Sequence, residues 1–287
     1  MRRCRDGRYA VGYFESWNLE SLQGVLDAAE QTRSPIIIGF NGDFMSRAGR
    51  RAPERLALYA AMGKAAAESS TVPCGLIFNE CPNDPWVLDA ADAGFNLVMP
   101  ADPGAPYENY LRRVRQIVQH CHERHVAVEA ELGELPCGAS GRVRCDAECT
   151  DPALAEEFVR ATGVDLLAVS VGNVHIQMSG QQDLDLERLA AIRDRVSTPL
   201  VLHGGTGISA GSIKEAIRLG VAKVNYGTYL KQRYLAAVLA TLAQEQSNPH
   251  ELLGMGGGSD VMIAGRLAVR DAVLERIDTL GCCGNAW

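Results

Sequence analysis

The sequence has no surplus of positive charge and no long hydrophobic run. Its 287 residues carry 28 Lys and Arg against 35 Asp and Glu, so a net charge of −7 offers no basic surface to a nucleic-acid backbone. No apolar run approaches the roughly 20 residues of a membrane span, and the basic start (Arg2, Arg3, Arg5) is followed by no apolar signal core. These absences argue against nucleic acid and membranes as partners.

A disulfide framework is also missing. The nine cysteines are an odd number, they are scattered, and no two of them form a Cys-x-x-Cys pair. This usage fits reduced thiols, and we therefore expect a cytoplasmic protein. Cys137, Cys145 and Cys149 lie close enough in sequence to offer a metal site, although ordinary loop thiols are the simpler interpretation.

Short β-rich apolar runs alternate with amphipathic helical stretches along the chain, eight of each. Such alternation predicts parallel strands with crossover helices, and eight units predict closure into a (β/α)8 TIM barrel. A doubly wound open sheet is the alternative. The predicted strands are 9–14, 35–40, 73–78, 95–99, 126–131, 165–171, 199–203 and 221–226. The predicted helices are about 18–32, 53–70, 83–94, 107–125, 151–162, 185–197, 209–220 and 228–246.

One domain is expected over residues 1–287, because a chain that is 47% hydrophobic can bury one large core and such a barrel commonly has about 250 residues. Residues 254–258 (Gly-Met-Gly-Gly-Gly) predict a flexible joint before a last helix at about 259–280. This C-terminal helical tail, 253–287, is expected to pack on the barrel or on a neighbouring subunit.

Two predicted strands end in a histidine beside glycines, His175 and His203. Histidine is a common transition-metal ligand, and in a barrel of this type the chemistry belongs to the loops at the carboxyl ends of the strands. A strand-end histidine bonded to a neighbouring loop is the alternative for each. Other polar residues predicted at these ends are Glu15, Asn18, Asn41, Asp43, Asn79, Glu80, Asp102, Glu131 and Asn225. Two imidazoles with one or two carboxylates would suit zinc or another divalent ion.

Glycine-rich turns predict a second kind of site. Gly204, Gly205, Thr206 and Gly207 precede one predicted helix, and Gly227 and Thr228 precede another. Backbone N–H groups at such positions cradle phosphate, and the loops after strands seven and eight are the recurring place for it in this fold. Gly172, in the run that leads to His175, is counted with these loops.

The chain resembles the class II, metal-dependent ketose-bisphosphate aldolases over nearly its whole length. The resemblance is carried by Tyr9-Ala10-Val11-Gly12, Asn18-Leu19-Glu20, Ala28-Ala29-Glu30, Ser34-Pro35, Asp92-Ala93-Gly94-Phe95, Val128-Glu129-Ala130-Glu131-Leu132-Gly133, Thr150-Asp151-Pro152, Thr162-Gly163-Val164-Asp165, His203-Gly204-Gly205-Thr206-Gly207 and Gly220-Val221-Ala222-Lys223-Val224-Asn225. It implies a barrel enzyme, usually a homodimer or homotetramer, that binds dihydroxyacetone phosphate through the two glycine loops. A zinc ion would polarise the ketone so that an enediolate forms.

The resemblance also implies roles for single residues. His175 and His203 match two zinc ligands, Glu131 matches a glutamate at or near the metal, and Asn225 matches an asparagine that contacts the substrate. Where the family has His-x-Asp-His after strand three, this chain has Ile77-Phe78-Asn79-Glu80. Glu80 can still ligate zinc, but Asn79 cannot exchange a proton as an aspartate does.

A second departure lies after strand five. The family's Gly-Gly-x-Glu-Asp stretch, whose glutamate removes the substrate proton, is replaced by the run 136–141 (Pro-Cys-Gly-Ala-Ser-Gly). Loss of a general acid or base typically costs about 10² to 10⁴ in rate. Replacement groups in the same segment are Glu134, Cys145, Asp146 and Glu148, with Arg142 and Arg144 for a second anionic group.

The sequence thus predicts a metal-dependent carbon–carbon lyase that acts on a phosphorylated or anionic ketose, with altered substrate or mechanism. Catalytic roles are expected for Asn79, Glu80 and Asn225, and metal ligation for Glu80, Glu131, His175 and His203. The alternatives are an isomerase or epimerase that uses the same enediolate, and a non-catalytic binding relative. The retained metal ligands argue against the last.

Overall fold

The computed structural model describes residues 2–102, 104–133, 149–174, 180–244 and 247–286. Within these ranges eight parallel strands pair in chain order, and β1 closes the barrel against β8. They are β1 (Val11–Glu15), β2 (Ile36–Asn41), β3 (Cys74–Cys81), β4 (Leu97–Pro100), β5 (Ala127–Leu132), β6 (Leu166–Val169), β7 (Leu200–Leu202) and β8 (Val221–Tyr226). The predicted (β/α)8 barrel is confirmed, and the open-sheet alternative is wrong.

The described residues contain twelve α-helices, most of which connect successive strands. They are α1 (Arg2–Gly7), α2 (Leu19–Thr32), α3 (Gly42–Ser46), α4 (Leu56–Ser69), α5 (Asp84–Ala93), α6 (Tyr107–His122), α7 (Pro152–Thr162), α8 (Leu186–Arg195), α9 (Ala210–Arg218), α10 (Thr228–Leu242), α11 (Pro249–Leu252) and α12 (Val261–Leu280). The helices α1, α3 and α11, and a 3-10 turn at Gly205–Gly207, were not predicted from the sequence.

Local sequence explains where several helices begin and end. The Asp151 carboxylate accepts from the N–H groups of Ala153 and Leu154 at 2.9 Å each, and Pro152 occupies the first helical position of α7. The Ser209 hydroxyl caps α9 in the same way, and that helix ends at Arg218 rather than at the predicted residue Gly220. Predicted element boundaries differ from the structure by up to about four residues, since helix ends depend on packing as well as on capping.

The largest boundary difference in a strand lies at the site. The predicted strand 73–78 extends in the structure to Cys81, so Asn79 and Glu80 belong to β3 itself and not to the loop after it. The pairing of β3 with β4 shifts register between Phe78 and Cys81, which is a β-bulge. Bulges re-aim side chains at the rims of barrels, and this one carries two of the predicted site residues.

The C-terminal helix α12 packs on the chain's own barrel, chiefly against α2 and α10. Arg266 pairs with both carboxylate oxygens of Asp27 in α2, at 2.6 and 2.7 Å. Gly24 allows the close approach of these helices, because a Cβ there would lie 2.5 Å from the Arg266 carbonyl oxygen. The expected extra helix is therefore present and covers α2 and α10.

Apolar side chains from the strands and the inner faces of the helices form one continuous buried cluster. Two charged residues, Glu129 and Lys223, are fully buried in the barrel. Burial of an unpaired charge is costly, so these residues point to a polar centre inside the barrel. Within the described ranges, no helix combines the length and apolar character that a membrane crossing requires.

Candidate active site

A cavity of about 250 Å³ lies at the carboxyl ends of the strands. Its walls come from β1, β2, β3 and β8, the turn after β7 and the start of α10. Predicted site residues in its lining are Asn79, Glu80, Gly204, Thr206, Asn225, Gly227 and Thr228. The structure therefore brings together residues from three separate segments of the chain.

Other predicted site residues have different positions. Glu131 and His203 lie beside Glu80 just below the cavity, whereas Gly205 and Gly207 are buried in the turn after β7. Gly172 lies outside the described cavity lining, and its carbonyl oxygen accepts from Gln182. His175 and the candidates of segment 134–148 lie outside the described residues.

The His203 imidazole is surrounded by three carboxylates. Its Nε2 lies 3.0 Å from Glu129 Oε1, while its Nδ1 lies 2.6 Å from Glu131 Oε2 and 3.4 Å from Glu80 Oε1. Burial alone would lower the pKa of His203, but Glu131, Glu129 and Glu80 together raise that pKa to about 10. When no metal ion is bound, the His203 imidazole is positively charged at neutral pH.

Glu129 connects His203 to a second buried cation. Lys223 Nζ lies 2.8 Å from Glu129 Oε2, and neither side chain is exposed. Burial would raise the pKa of Glu129, but Lys223 and His203 outweigh burial and hold that pKa below its usual value. The Glu129 carboxylate is thus a fixed negative charge between two donors.

Lys223 also sets the orientation of Asn225. Its Nζ donates to Asn225 Oδ1 at 2.6 Å, so the amide oxygen is used inside the barrel. Asn225 Nδ2 is buried and has no hydrogen-bond partner among the described residues. Because Asn225 lines the cavity, the amide presents a hydrogen-bond donor to whatever binds there.

Glu80 is held at the bulge of β3 in a strained backbone conformation. Its φ is +53°, a left-handed value that non-glycine residues adopt at a cost of about 1–3 kcal/mol. Its Oε2 accepts from Asn41 Nδ2 at 2.9 Å, and its Oε1 faces His203. Strain of this kind clusters at functional sites, where neighbouring contacts fix one side-chain direction.

The residues around His203 have donor chemistry that suits a divalent metal. No group of three or more His, Cys, Asp or Glu side chains in the described part of the chain is spaced as a finished metal site. The 3.4 Å from His203 Nδ1 to Glu80 Oε1 matches two ligands of one ion, which lie roughly 3.3 Å apart when each is about 2.0–2.2 Å from zinc. The 2.6 Å contact with Glu131 is too short, so that carboxylate would move outward by roughly 0.7 Å.

A buried atom supports this fit. His203 Nδ1 has no well-directed hydrogen bond among the described residues, although it faces two carboxylates. A divalent ion there would replace the imidazolium proton and balance the formal charges of Glu80, Glu129 and Glu131 against Lys223. One imidazole nitrogen and two carboxylates therefore fit a zinc-type ion chemically.

The two glycine turns lie side by side at one wall of the cavity. Gly204 has the left-handed φ of +67° that begins the 3-10 turn, and the Thr206 hydroxyl accepts from Tyr229 N at 3.2 Å. Thr206 and Thr228, the first residue of α10, both line the cavity. This arrangement is typical of anion-binding turns at helix N-termini.

A charge pair that the sequence did not predict lies beside these turns. Lys231 Nζ lies 2.5 Å from Glu15 Oε1, and a Cβ at Gly227 would lie 2.2 Å from Glu15 Oε2. A side chain at position 227 would displace that carboxylate from its present position. The two glycine turns therefore have one negative and one positive side chain as direct neighbours.

Four functional candidates were missed in the sequence, Tyr13, Glu129, Lys223 and Lys231. A signal existed for two of them, because polar residues recur at alternate positions in apolar strands: Glu129 two before Glu131, and Lys223 two before Asn225. Alternate residues of a strand share one face, so each pair points into the barrel. Tyr13 carried no such signal, since an aromatic residue in a strand is usually a core residue.

Comparisons with known proteins identify the family of the chain. The family model described as fructose-bisphosphate aldolase class-II matches residues 1–285. The YdjI aldolase from Escherichia coli K12 is 33% identical with a TM-score of 0.83, over 100% of this chain and 97% of that one. A putative fructose-1,6-biphosphate aldolase from Coccidioides immitis is 28% identical with a TM-score of 0.84, over 99% and 96%.

A third structure supports the fold alone. Fructose-bisphosphate aldolase from Campylobacter jejuni is 22% identical with a TM-score of 0.77, over 98% of this chain and 93% of that one. The family match spans the barrel and the helix α12, and it includes every strand end that borders the cavity. The chain therefore belongs to the class II fructose-bisphosphate aldolase family.

Proposed function

We propose that this chain is a metal-dependent aldolase that cleaves or forms a carbon–carbon bond in a phosphorylated or otherwise anionic ketose, through an enediolate. The observation that carries the proposal is the buried His203 imidazole between Glu80 and Glu131, linked through Glu129 and Lys223 to Asn225, whose amide donor has no partner among the described residues. Class II aldolases generally depend on a divalent metal, commonly zinc.

The ligands that we propose are Glu80, Glu131 and His203, together with His175, which lies outside the described residues. A bound divalent ion supplies Lewis-acid polarisation of a carbonyl. Glu129 holds the His203 ring through Nε2, so that Nδ1 is the nitrogen directed at the two carboxylates. Lys223 keeps Glu129 charged and holds the amide of Asn225.

The anionic group of the substrate is assigned to the glycine turns. Gly172, Gly204, Gly205, Thr206, Gly207, Asn225, Gly227 and Thr228 form the proposed substrate and phosphate site. The helix N-terminus of α10 and the Thr206 hydroxyl supply donors, and the Lys231 ammonium supplies a full positive charge once it leaves Glu15.

The position of Asn79 favours one other reaction. Its Oδ1 is buried at the cavity without a partner among the described residues, so it accepts a hydrogen bond from a substrate hydroxyl. The Asn79 amide cannot accept the proton of that hydroxyl. Carbon–carbon cleavage requires such a proton transfer at the oxygen that becomes the aldehyde. Isomerisation or epimerisation through the same enediolate does not need that group and is the second candidate.

Location and assembly belong to the same proposal. All seven cysteines within the described ranges are free, which supports a reducing compartment such as the cytoplasm. Leu235, Leu239 and Leu242 of α10 are each more than half exposed, and they support a homodimer or homotetramer.

Solvent deuterium exchange into dihydroxyacetone phosphate, followed by NMR on protein of defined zinc content, tests the function. We expect zinc-dependent exchange, because the enediolate half-reaction is common to both candidates. Release of a triose from a ketose phosphate distinguishes cleavage from isomerisation. Absence of exchange in zinc-loaded protein contradicts an enediolate reaction on this donor.

A further inference from the structure

Tyr13 places an unused hydroxyl in the wall of the cavity. It lies on β1, lines the cavity and is only 2% exposed. Its hydroxyl has no hydrogen-bond partner among the described residues. A buried polar group without a partner costs about 1–3 kcal/mol, so one that borders a cavity points to a molecule bound there that satisfies it.

Closure of the barrel places Tyr13 on the strand next to a second unused donor, that of Asn225. Tyr13 is the register partner of Asn225 across the β1–β8 pairing, so both side chains point to the same side of the sheet. Lys223 Nζ lies 5.2 Å from the centre of the Tyr13 ring and donates to Asn225 Oδ1. The Lys223 ammonium therefore contacts both Tyr13 and Asn225, and Asn225 Nδ2 remains as a hydrogen-bond donor.

We propose that Tyr13 is a catalytic residue whose hydroxyl, together with Asn225 Nδ2, donates a hydrogen bond to the substrate oxygen that gains negative charge during enediolate formation. This inference rests on the proposed function and adds a residue to it. Tyr13 and Asn225 transfer no proton in this step: the phenol stays protonated and the substrate oxygen accepts two hydrogen bonds, while the carbon-bound proton of the substrate goes to a separate general base of the enzyme.

The surroundings keep the phenol in its donor form. Burial and the carboxylates of Glu15, Glu80 and Glu129 raise the pKa of Tyr13 well above its usual value. Two of these carboxylates, Glu15 and Glu80, line the cavity as Tyr13 does. An ionised carboxylate cannot donate a hydrogen bond, so Tyr13 supplies the donor that Glu15 and Glu80 lack.

Tyr13→Phe removes the hydroxyl and leaves the ring in place. In the zinc-loaded protein we expect the rate of deuterium exchange into dihydroxyacetone phosphate to fall about 10²-fold, as for loss of one donor to a developing oxyanion. Binding of the same compound, measured by calorimetry, is expected to weaken only roughly 3- to 10-fold, because the hydrogen bond strengthens as charge develops. The Tm is expected to stay the same or rise, since a buried unpaired hydroxyl is lost.

Tyr107→Phe is the matched control. Its hydroxyl is also buried without a partner among the described residues, but Tyr107 lies on α6 and does not line the cavity. We expect its exchange rate to equal that of the wild type. Exchange by Tyr13→Phe within twofold of the wild type overturns the proposal while leaving the proposed function intact.

The two failures are distinguishable. If the wild type does not exchange deuterium, the proposed function fails on this donor, and calorimetric binding of dihydroxyacetone phosphate decides the role of Tyr13. Weaker binding by Tyr13→Phe alone then supports Tyr13 as a donor to the ligand. Equal affinity in both proteins, or no binding by either, overturns it.

Discussion

Glu80 is the residue on which the proposed metal site most depends. Its left-handed backbone and its bond from Asn41 aim one carboxylate oxygen at His203 Nδ1, with Glu131 on the other side. The bulge in β3 lies at Glu80, and the carboxylate of Glu80 points to the His203 ring.

Removal of this ligand should release the metal. In Glu80→Gln, which keeps the shape and an acceptor for Asn41, we expect zinc affinity to fall at least about 100-fold, as in His203→Ala, because even outer partners of a ligand are worth 10- to 100-fold. Zinc is measured after dialysis by atomic emission. Glu123→Gln, an exposed residue on the surface after α6, is the control and should retain wild-type zinc. Full zinc retention in Glu80→Gln, with loss in His203→Ala, would show that Glu80 is not a ligand.

The pair of Lys231 and Glu15 decides how well the glycine turns bind an anion. Lys231→Met removes a full positive charge beside these turns. We expect dihydroxyacetone phosphate to bind this variant about 10- to 100-fold more weakly, as measured by calorimetry. Glu15→Gln removes the competing carboxylate, and binding should tighten.

The control for this pair is Lys214→Met, an exposed lysine on α9. Both Lys231→Met and Lys214→Met change net charge equally, so only a local effect separates them. Equal affinity in Lys231→Met and the wild type would mean that the phosphate lies elsewhere.

The sequence identified some residues of the candidate site and missed others. Asn79, Glu80, Asn225, Thr206 and Gly227 were predicted, and all of them border the cavity. Their roles stay predictions. Glu129 and Lys223 were missed because their importance comes from contacts between β5, β7 and β8, which are distant in sequence.

Among the elements, the strands carried most of the predictable information. Apolar runs placed all eight strands, because a parallel strand buried on both faces is a nearly continuous hydrophobic run. The strand β3 was predicted too short, since Asn79 and Glu80 interrupt the apolar run that marks a strand. Polar residues inside a barrel therefore hide the part of the strand that carries the chemistry.

Helix ends with side-chain caps were predicted closely, and short helices were not. The Asp151-Pro152 pair and Ser209 are local signals that act within one turn. The helices α1, α3 and α11 have six, five and four residues, too few to show a helical period. Their existence depends on packing against the barrel.

In the whole molecule, closure of the barrel determines which strand ends are neighbours. It makes β1 the neighbour of β8 although they stand at opposite ends of the barrel sequence, and so brings Tyr13 to Asn225 and Glu15 to Gly227. The single domain predicted over residues 1–287 stays a prediction, and the packing of α12 on α2 and α10 is consistent with it.

The exposed apolar surface of α10 offers a test of the oligomeric state. Leu239 is 65% exposed within the stripe of Leu235, Leu239 and Leu242, and Leu235 also borders the cavity. We expect the wild type to be a dimer or tetramer by light scattering, and Leu239→Arg to shift it towards monomer, because a charge in an apolar contact is costly.

Leu58→Arg is the control, since Leu58 is 64% exposed on α4 outside that stripe. It should leave the assembly unchanged. A monomeric wild type, or an assembly that tolerates Leu239→Arg, would contradict this use of the α10 surface.

The sequence by itself determined the class of fold and the family, because eight alternating units and the run of motifs are properties of neighbouring residues. It also determined which strand ends carry histidine, carboxylate and glycine. Only the tertiary structure decided that His203 lies between Glu80, Glu129 and Glu131, that Lys223 orients the amide of Asn225, and that the Tyr13 hydroxyl has no partner in the described part of the chain. These contacts join residues far apart in the chain, and their strength depends on burial, which no local pattern contains.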